Sequence, residues 1–523
     1  MLRYLLIGWL LLSGPVRAQL AHSLRLELNT NPSGEESFDV LPLAERGLLI
    51  TTQRGASYGS GAANFQFQRL DTNLKTLWTS DYKQNNRYEP AMSYHNEQYQ
   101  YWLFREPEGD DIQVLRVGLD DGLVETFDGK LLSLMDIQQF KVMDNTAYIG
   151  GYYHNRPVVM QFSFFDRTSR VLPGLYVNHL EINDIELDER RGEVHVLVHA
   201  PRRRCQFSLR SYGRDGKLRR TVDFDGSRYS LISGKLLPIN EEESLLIGNY
   251  SADCTPYSQG IYVTRIRHDE SMTAEAATRN IRYIEFSQLE NFFNYLKPRR
   301  QERIMAKVSE KKNQGKDYKF RYRLLVHDLM PTDDGLTLIA EVYYPQYRGT
   351  NMPFYNGLLR SYDRYFEGYR YTHAFVCGFD RQGNLLWDNC LPIKNLDSPE
   401  LTRLVQVSRQ GDAMVLAYPQ DGAINTEVIV RNRTLQEGGT YKLETNSETE
   451  RVLYSAEDNL AAWYGNHFLA CGFQKIAADG STRERDVFYI NKLTYSAEAA
   501  QQPPTDTLPK SSRASRKEAD SGH

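Results

Sequence analysis

At 523 residues, with 41% hydrophobic and 25% charged residues and a formal net charge of −4, the chain has the composition of an ordinary globular protein. That composition argues against global disorder, and the small charge gives no sign of nucleic acid or another strongly charged partner for the molecule as a whole. Thirty-four Tyr and 22 Phe favour sheets, because aromatic rings fit a pleated, half-buried surface.

The N-terminus reads as a secretory signal peptide over residues 1–18. Arg3 supplies the positive n-region, residues 5–12 the apolar core, and Val16-Arg17-Ala18 a small-residue cleavage site before Gln19. That core is too short to span a bilayer, and no later run reaches about 18 apolar residues. No Cys follows it to carry a lipid. The mature chain, from residue 19, is therefore expected in the periplasm or outside the cell, without a transmembrane segment.

Polar turns between short apolar runs then recur near Arg46, Asn96, Asp144, Arg190, Glu242, Asp333, Gln410 and Gly465. Most gaps fall between 46 and 55 residues, each filled by four short strand patterns and almost no helix. That period predicts an all-β chain, a β-propeller of about eight four-stranded blades over residues 19–495, with seven as the other count. The fourth repeat shows the unit plainly: strands at 182–187, 193–199, 206–212 and 218–224, the last two joined by Arg214-Asp215-Gly216. Asp-Gly accepts the positive φ that hairpin turns require. The last repeat lacks a fourth strand, and residues 23–28 belong to no hairpin of their own. An N-terminal strand that completes the last blade would close the ring. The tail, 496–523, is Ser/Lys/Arg-rich and is expected to be disordered.

Hairpins of the form Asp71…Trp78 and Asp380-x-x-Gly383-x-x-x-Trp387 resemble those of exported bacterial β-propellers with WD40-like or quinoprotein-like repeats. The second matches the D-x-x-G-x-x-x-W pattern in full, whereas the first has Leu74 at the glycine. This resemblance implies the fold and no activity.

Two departures from the period are insertions. Residues 287–321 turn helical, with Pro298 at a helix start, and residues 345–371 form a Tyr-rich loop. The first joins a fourth strand to the next first strand, and the second joins second and third strands. In an antiparallel meander both emerge on one face of the ring, where binding usually resides. Between 297 and 323 there are 11 Lys/Arg against Glu302, Glu310 and Asp317. Such a run is either a docking surface for an acidic protein or glycan of the cell envelope, or simply a solvated helix face. The Tyr-rich loop is likewise either a binding surface or a lid over its own blade. The candidate site joins Arg299, Arg300 and Arg303 to Tyr355, Tyr362, Tyr365 and Tyr369.

Five cysteines in an oxidising compartment can form two pairs at most. Cys377 and Cys390, on the two arms of a hairpin turning near Gln382, are expected to be linked. Cys205 and Cys254 occupy equivalent places in neighbouring repeats, and Cys471 reads as a small core residue.

Catalytic patterns are weak. Residues 55–59 fit G-x-S-x-G but lead from a loop to a strand, not to a helix. His195 and His199 on a strand stand about 13 Å apart, too far to share a metal. Glu108, Asp110 and Asp111 read as an acidic turn, and no cofactor or metal motif appears. The sequence thus predicts a non-catalytic, exported binding or scaffold propeller. The alternative is a polysaccharide hydrolase or lyase with paired carboxylates, or a His/Tyr/Arg set, at the channel mouth.

Overall fold

The repeating turns fold into eight antiparallel sheets arranged as a β-propeller, seen in a computed structural model that describes residues 20–30, 36–55, 63–200, 205–224, 228–268, 279–349, 364–447, 449–478 and 484–495. Blades 1 to 8 span residues 36–83, 89–130, 136–171, 181–224, 230–285, 323–398, 406–442 and 450–495. Within each sheet the strands follow chain order, from the first strand at the channel to the fourth at the rim. Blade 8 takes its rim strand from the N-terminus: Leu20–Asn29 pairs antiparallel with Glu484–Tyr495, from Leu20 opposite Tyr495 to Asn29 opposite Val487. Trp463 Nε1 of blade 8 donates to the Gly47 carbonyl of blade 1 at 2.8 Å, which ties the closure from the other side.

The core is divided rather than central. Eight apolar clusters each fill one junction between neighbouring blades, from Leu49, Phe65 and Leu115 at blades 1 and 2 to Leu48, Leu469 and Phe488 at blades 8 and 1. Alternation along each strand makes this possible, because both faces of an interior sheet meet a neighbour. At the hairpin turns Gly383 takes φ +75°, a conformation glycine adopts freely. Leu74 takes φ +60° at the matching place, at a cost of about 1 kcal/mol.

The inner strands carry a shared irregularity. The register of the first strand slips at Pro90/Met92, Ile137/Gln139, Ile182/Asp184 and Val452/Tyr454. In blades 5 and 6 it breaks into two pieces, Ser230–Leu231 with Lys235–Pro238 and Arg323–Val326 with Met330–Thr332. Bulges re-aim side chains, and here they place polar groups along the channel.

Two expectations need correction. Residues 287–296 do not form a helix: a 3-10 turn, Phe286–Gln288, opens the segment, and bends follow. The Asp388 carboxylate accepts from the backbone N–H of Glu290 (2.9 Å) and Asn291 (2.7 Å), diverting donors that a helix would use. Helix α1, Pro298–Asn313, begins only after this plug. The described parts of the Tyr-rich segment, residues 345–349 and 364–371, are strand, since Gly335–Gly349 and Arg364–Asp380 extend one hairpin beyond the blade; residues 350–363 lie outside the described residues. Among the described residues no helix is long and apolar enough to cross a membrane.

Candidate binding site

Pro at the first position of α1 fixes φ for a helical start, and Arg300, Arg303 and Lys307 then fall on one exposed face at spacings of three and four. Val308, on the other side, is buried in the cluster between blades 5 and 6, with Ile304 packed against it. The chain returns beneath the helix through residues 318–322, bringing Lys319 and Arg321 to the same place. Together these five cations, with Ile304, Tyr318, Phe320 and Tyr322, surround an open cavity of about 430 Å³. No carboxylate lines it. Lys319 is paired with Asp253, but Arg300, Arg303, Lys307 and Arg321 have no ion-pair partner among the described residues.

Behind Tyr322, which lines the cavity, lies an aromatic stack. Tyr322 and Tyr295 share a hydroxyl–hydroxyl hydrogen bond of 2.9 Å, and the Tyr295 ring stacks on His373 at 3.8 Å with an interplanar angle of 8°. Phe286, Phe292 and Phe375 pack edge-on around them. Burial pushes both tyrosine hydroxyls up, so they remain protonated, and it pushes His373 down to about 3. The lining itself is rich in hydrogen-bond donors. What it can do chemically is hold acceptor oxygens.

The predicted site residues part company here. Arg300 and Arg303 line the cavity, while Arg299 is exposed on the helix without lining it. Tyr369 packs against Tyr343 and Phe366, on the side of the hairpin that faces blade 7. Tyr365 is exposed, and no described contact joins Tyr365 or Tyr369 to the arginines. Tyr355 and Tyr362 lie outside the described residues. The rings that do meet the arginines, Tyr318 and Tyr322, sit in the charged run itself. Their alternation with Lys319 and Arg321 was the available signal.

The cysteine pairing is also corrected: Cys205 is bonded to Cys254, with Cα atoms 5.7 Å apart, and Cys377 and Cys390 are free and buried. Cys377 stands opposite Asp388, and Cys390 opposite Phe375, so the two thiols sit two residues out of register. That diagonal places the Cβ atoms too far apart for a bond. The cystine instead joins the second-to-third-strand connections of blades 4 and 5. Cys471 is a buried free thiol pushed up to about 12 by burial.

The channel holds a different cluster. Lys141 of blade 3 lies 3.0 Å from Glu186 and 3.8 Å from Asp184 of blade 4. Lys235 of blade 5 contacts Asp184, approaches Glu186 at 3.5 Å and meets Asp328 of blade 6 at 2.8 Å. Arg403, leading into blade 7, binds Asp328 through two nitrogens at 2.6 and 3.1 Å. Three acids thus face three cations. Burial, with Asp184 alongside, pushes the Glu186 carboxyl up. Burial opposes the charge on Asp328, yet Arg403 and Lys235 hold it well below the usual carboxylate range.

Three residues of the remaining motifs have structural partners. His195 Nδ1 bonds Ser211 at 2.9 Å; Asp110 pairs with Lys130 at 3.1 Å, and Asp111 with Arg87. Ser57 of G-x-S-x-G lies outside the described residues.

No protein-family profile matches the chain, and no curated protein is recognisably similar in sequence. Among solved structures it is similar to the Dos1 propeller (9% identity, TM-score 0.40, covering 91% of this chain and 95% of that one). It is also similar to the polysaccharide lyase Uly1 (9%, 0.38, 77% and 89%) and to a prolyl endopeptidase (8%, 0.38, 84% and 53%). At this distance the likeness carries neither activity nor ligand across.

Proposed function

We propose that this is an exported, non-catalytic propeller that binds an acidic protein or glycan of the cell envelope at the cavity under α1. The observation that carries the reading is convergence: Arg300, Arg303, Lys307 and Arg321 face one cavity without a carboxylate among its lining. Like charges gathered without partners repel one another, so such a cluster makes sense where an anion completes it. The signal-like N-terminus supports export. The ion pairs of Asp184, Glu186 and Asp328 disfavour these three acids for the hydrolase or lyase reading, which needs a carboxylate free to exchange a proton.

The test uses the full mature chain on immobilised polygalacturonate and polyglutamate at rising salt. Retention is expected to fall steeply with salt, because screening over about 8 Å already acts at physiological ionic strength. An Arg300→Ala/Arg303→Ala/Arg321→Ala variant should elute at least about tenfold more weakly. Equal retention of variant and parent on both polymers would sink the proposal.

A further inference from the structure

The two hairpins of the Asp…Trp form meet different neighbours. In blade 1, Trp78 stands opposite Arg69 and is sealed by the blade 2 turn over residues 119–123. Gly122 of that turn sits so close that a Cβ there would come within 2.7 Å of the indole. Ser80 Oγ donates to the Gly122 carbonyl at 2.7 Å, and Leu119 fills the remaining space, fully buried in the cluster that includes Trp78.

In blade 6 the same frame is present with its seal missing. Trp387 lies across Gly378, where a Cβ would come within 2.2 Å of the ring. Asn389, at the place of Ser80, donates to the Arg431 carbonyl of the blade 7 turn at 3.1 Å. That turn has only two residues, 431 and 432, and so has no counterpart to Leu119. Close-packed interiors fill such space; here it remains as a cavity of about 390 Å³ beside the half-exposed indole. Met414 forms part of its apolar wall, and Asp334, Asp412, Arg431 and Asn432 stand around it. The side chains of those four polar residues have no partner among the described residues.

We infer that this cavity is a second binding site, for one ring of a neutral glycan. It lies on the face opposite the basic cavity, since first-to-second and third-to-fourth connections emerge there. A flat indole presents apolar area to the C–H face of a sugar, and planar carboxylate, guanidinium and amide groups bond hydroxyls as both donors and acceptors. Arg409 and Arg431 balance Asp334 and Asp412, so nothing selects for an anion. A volume of this size falls within the range of small-ligand sites.

The test is an array of neutral glucan, mannan, galactan and chitin oligosaccharides, followed by titration of the best binder against tryptophan fluorescence. The parent protein should bind at least one of them with a change in indole emission. Asp412→Ala/Arg431→Ala, both on exposed turns, should weaken that binding about tenfold without moving the melting temperature. Trp387→Phe should keep weak binding and lose the emission change. No binding by the parent, or binding undiminished in the double variant, would overturn the inference. Neither result bears on the basic cavity, whose variants should bind neutral glycans unchanged.

Discussion

The channel belt and the cavity under α1 are both built from clustered charge, and their contrast separates structure from function. In the belt, Lys141, Lys235 and Arg403 answer Asp184, Glu186 and Asp328 within 4 Å, drawn from blades 3 to 6 and the lead into blade 7. In the cavity, four cations share a wall with no ion-pair partner among the described residues. Paired charge across blades sets how neighbouring blades meet. Unpaired charge beside aromatic rings is what the proposed anion would complete.

The largest test of that contrast is Lys235→Met. The side chain is 16% exposed and touches three carboxylates, so its loss strands Asp184 between Glu186 and Asp328 with only Lys141 and Arg403 left. Breaking this partly buried network should cost about 1–3 kcal/mol in urea unfolding at pH 7. Lys307→Met, in the cavity, should stay within about 0.5 kcal/mol of the parent. Equal losses in the two variants would erase the distinction.

His373, stacked under Tyr295 behind the cavity, makes this part of the fold sensitive to acid, and the sign follows from its burial. Fully buried with no charged partner, it has a folded pKa of about 3, below the 6.5 of an unfolded histidine. Its contribution to stability is whole above about pH 6.5 and is lost as pH falls towards 3, because the unfolded chain takes the proton first. The loss should approach about 1.4 kcal/mol per pH unit across that window. His373→Phe keeps a ring beneath Tyr295 and should flatten that part of the profile, as read by thermal melts from pH 8 to pH 4. Parallel profiles for the two proteins would show that His373 reaches solvent.

The blades were legible because their signal is local. Residues 218–224 were expected as a strand and are one, and the closing strand expected at 23–28 lies within Leu20–Asn29. Pro298 marked the start of α1 correctly. What failed depended on distant partners. Asp388, nearly a hundred residues on, unwinds residues 287–296, and the pairing of the two strands leaves Cys377 and Cys390 two residues out of register. The basic run was visible, yet its partner rings were sought across the Tyr-rich hairpin, whose Tyr369 turns towards blade 7. The belt could not be read at all, since its six members come from strands and a linker spread over 263 positions, from Lys141 to Arg403.

The smallest effect is the most telling. If the cavity cations await an anion, removing two of them should not destabilise the empty protein. Arg300 and Arg303 are exposed, make no ion pair among the described residues, and lie beside Lys307 and Arg321. Their mutual repulsion is a cost of folding, of a few tenths of a kcal/mol at exposed sites. Arg300→Ala/Arg303→Ala should therefore melt at or slightly above the parent temperature in low salt. The difference should vanish near 1 M salt, where the screening length is about 3 Å. Binding to polyanions should fall in the same variant. A drop of more than about 1 kcal/mol, persisting in high salt, would instead mark both arginines as packing elements whose alkyl stems hold the helix to its blade.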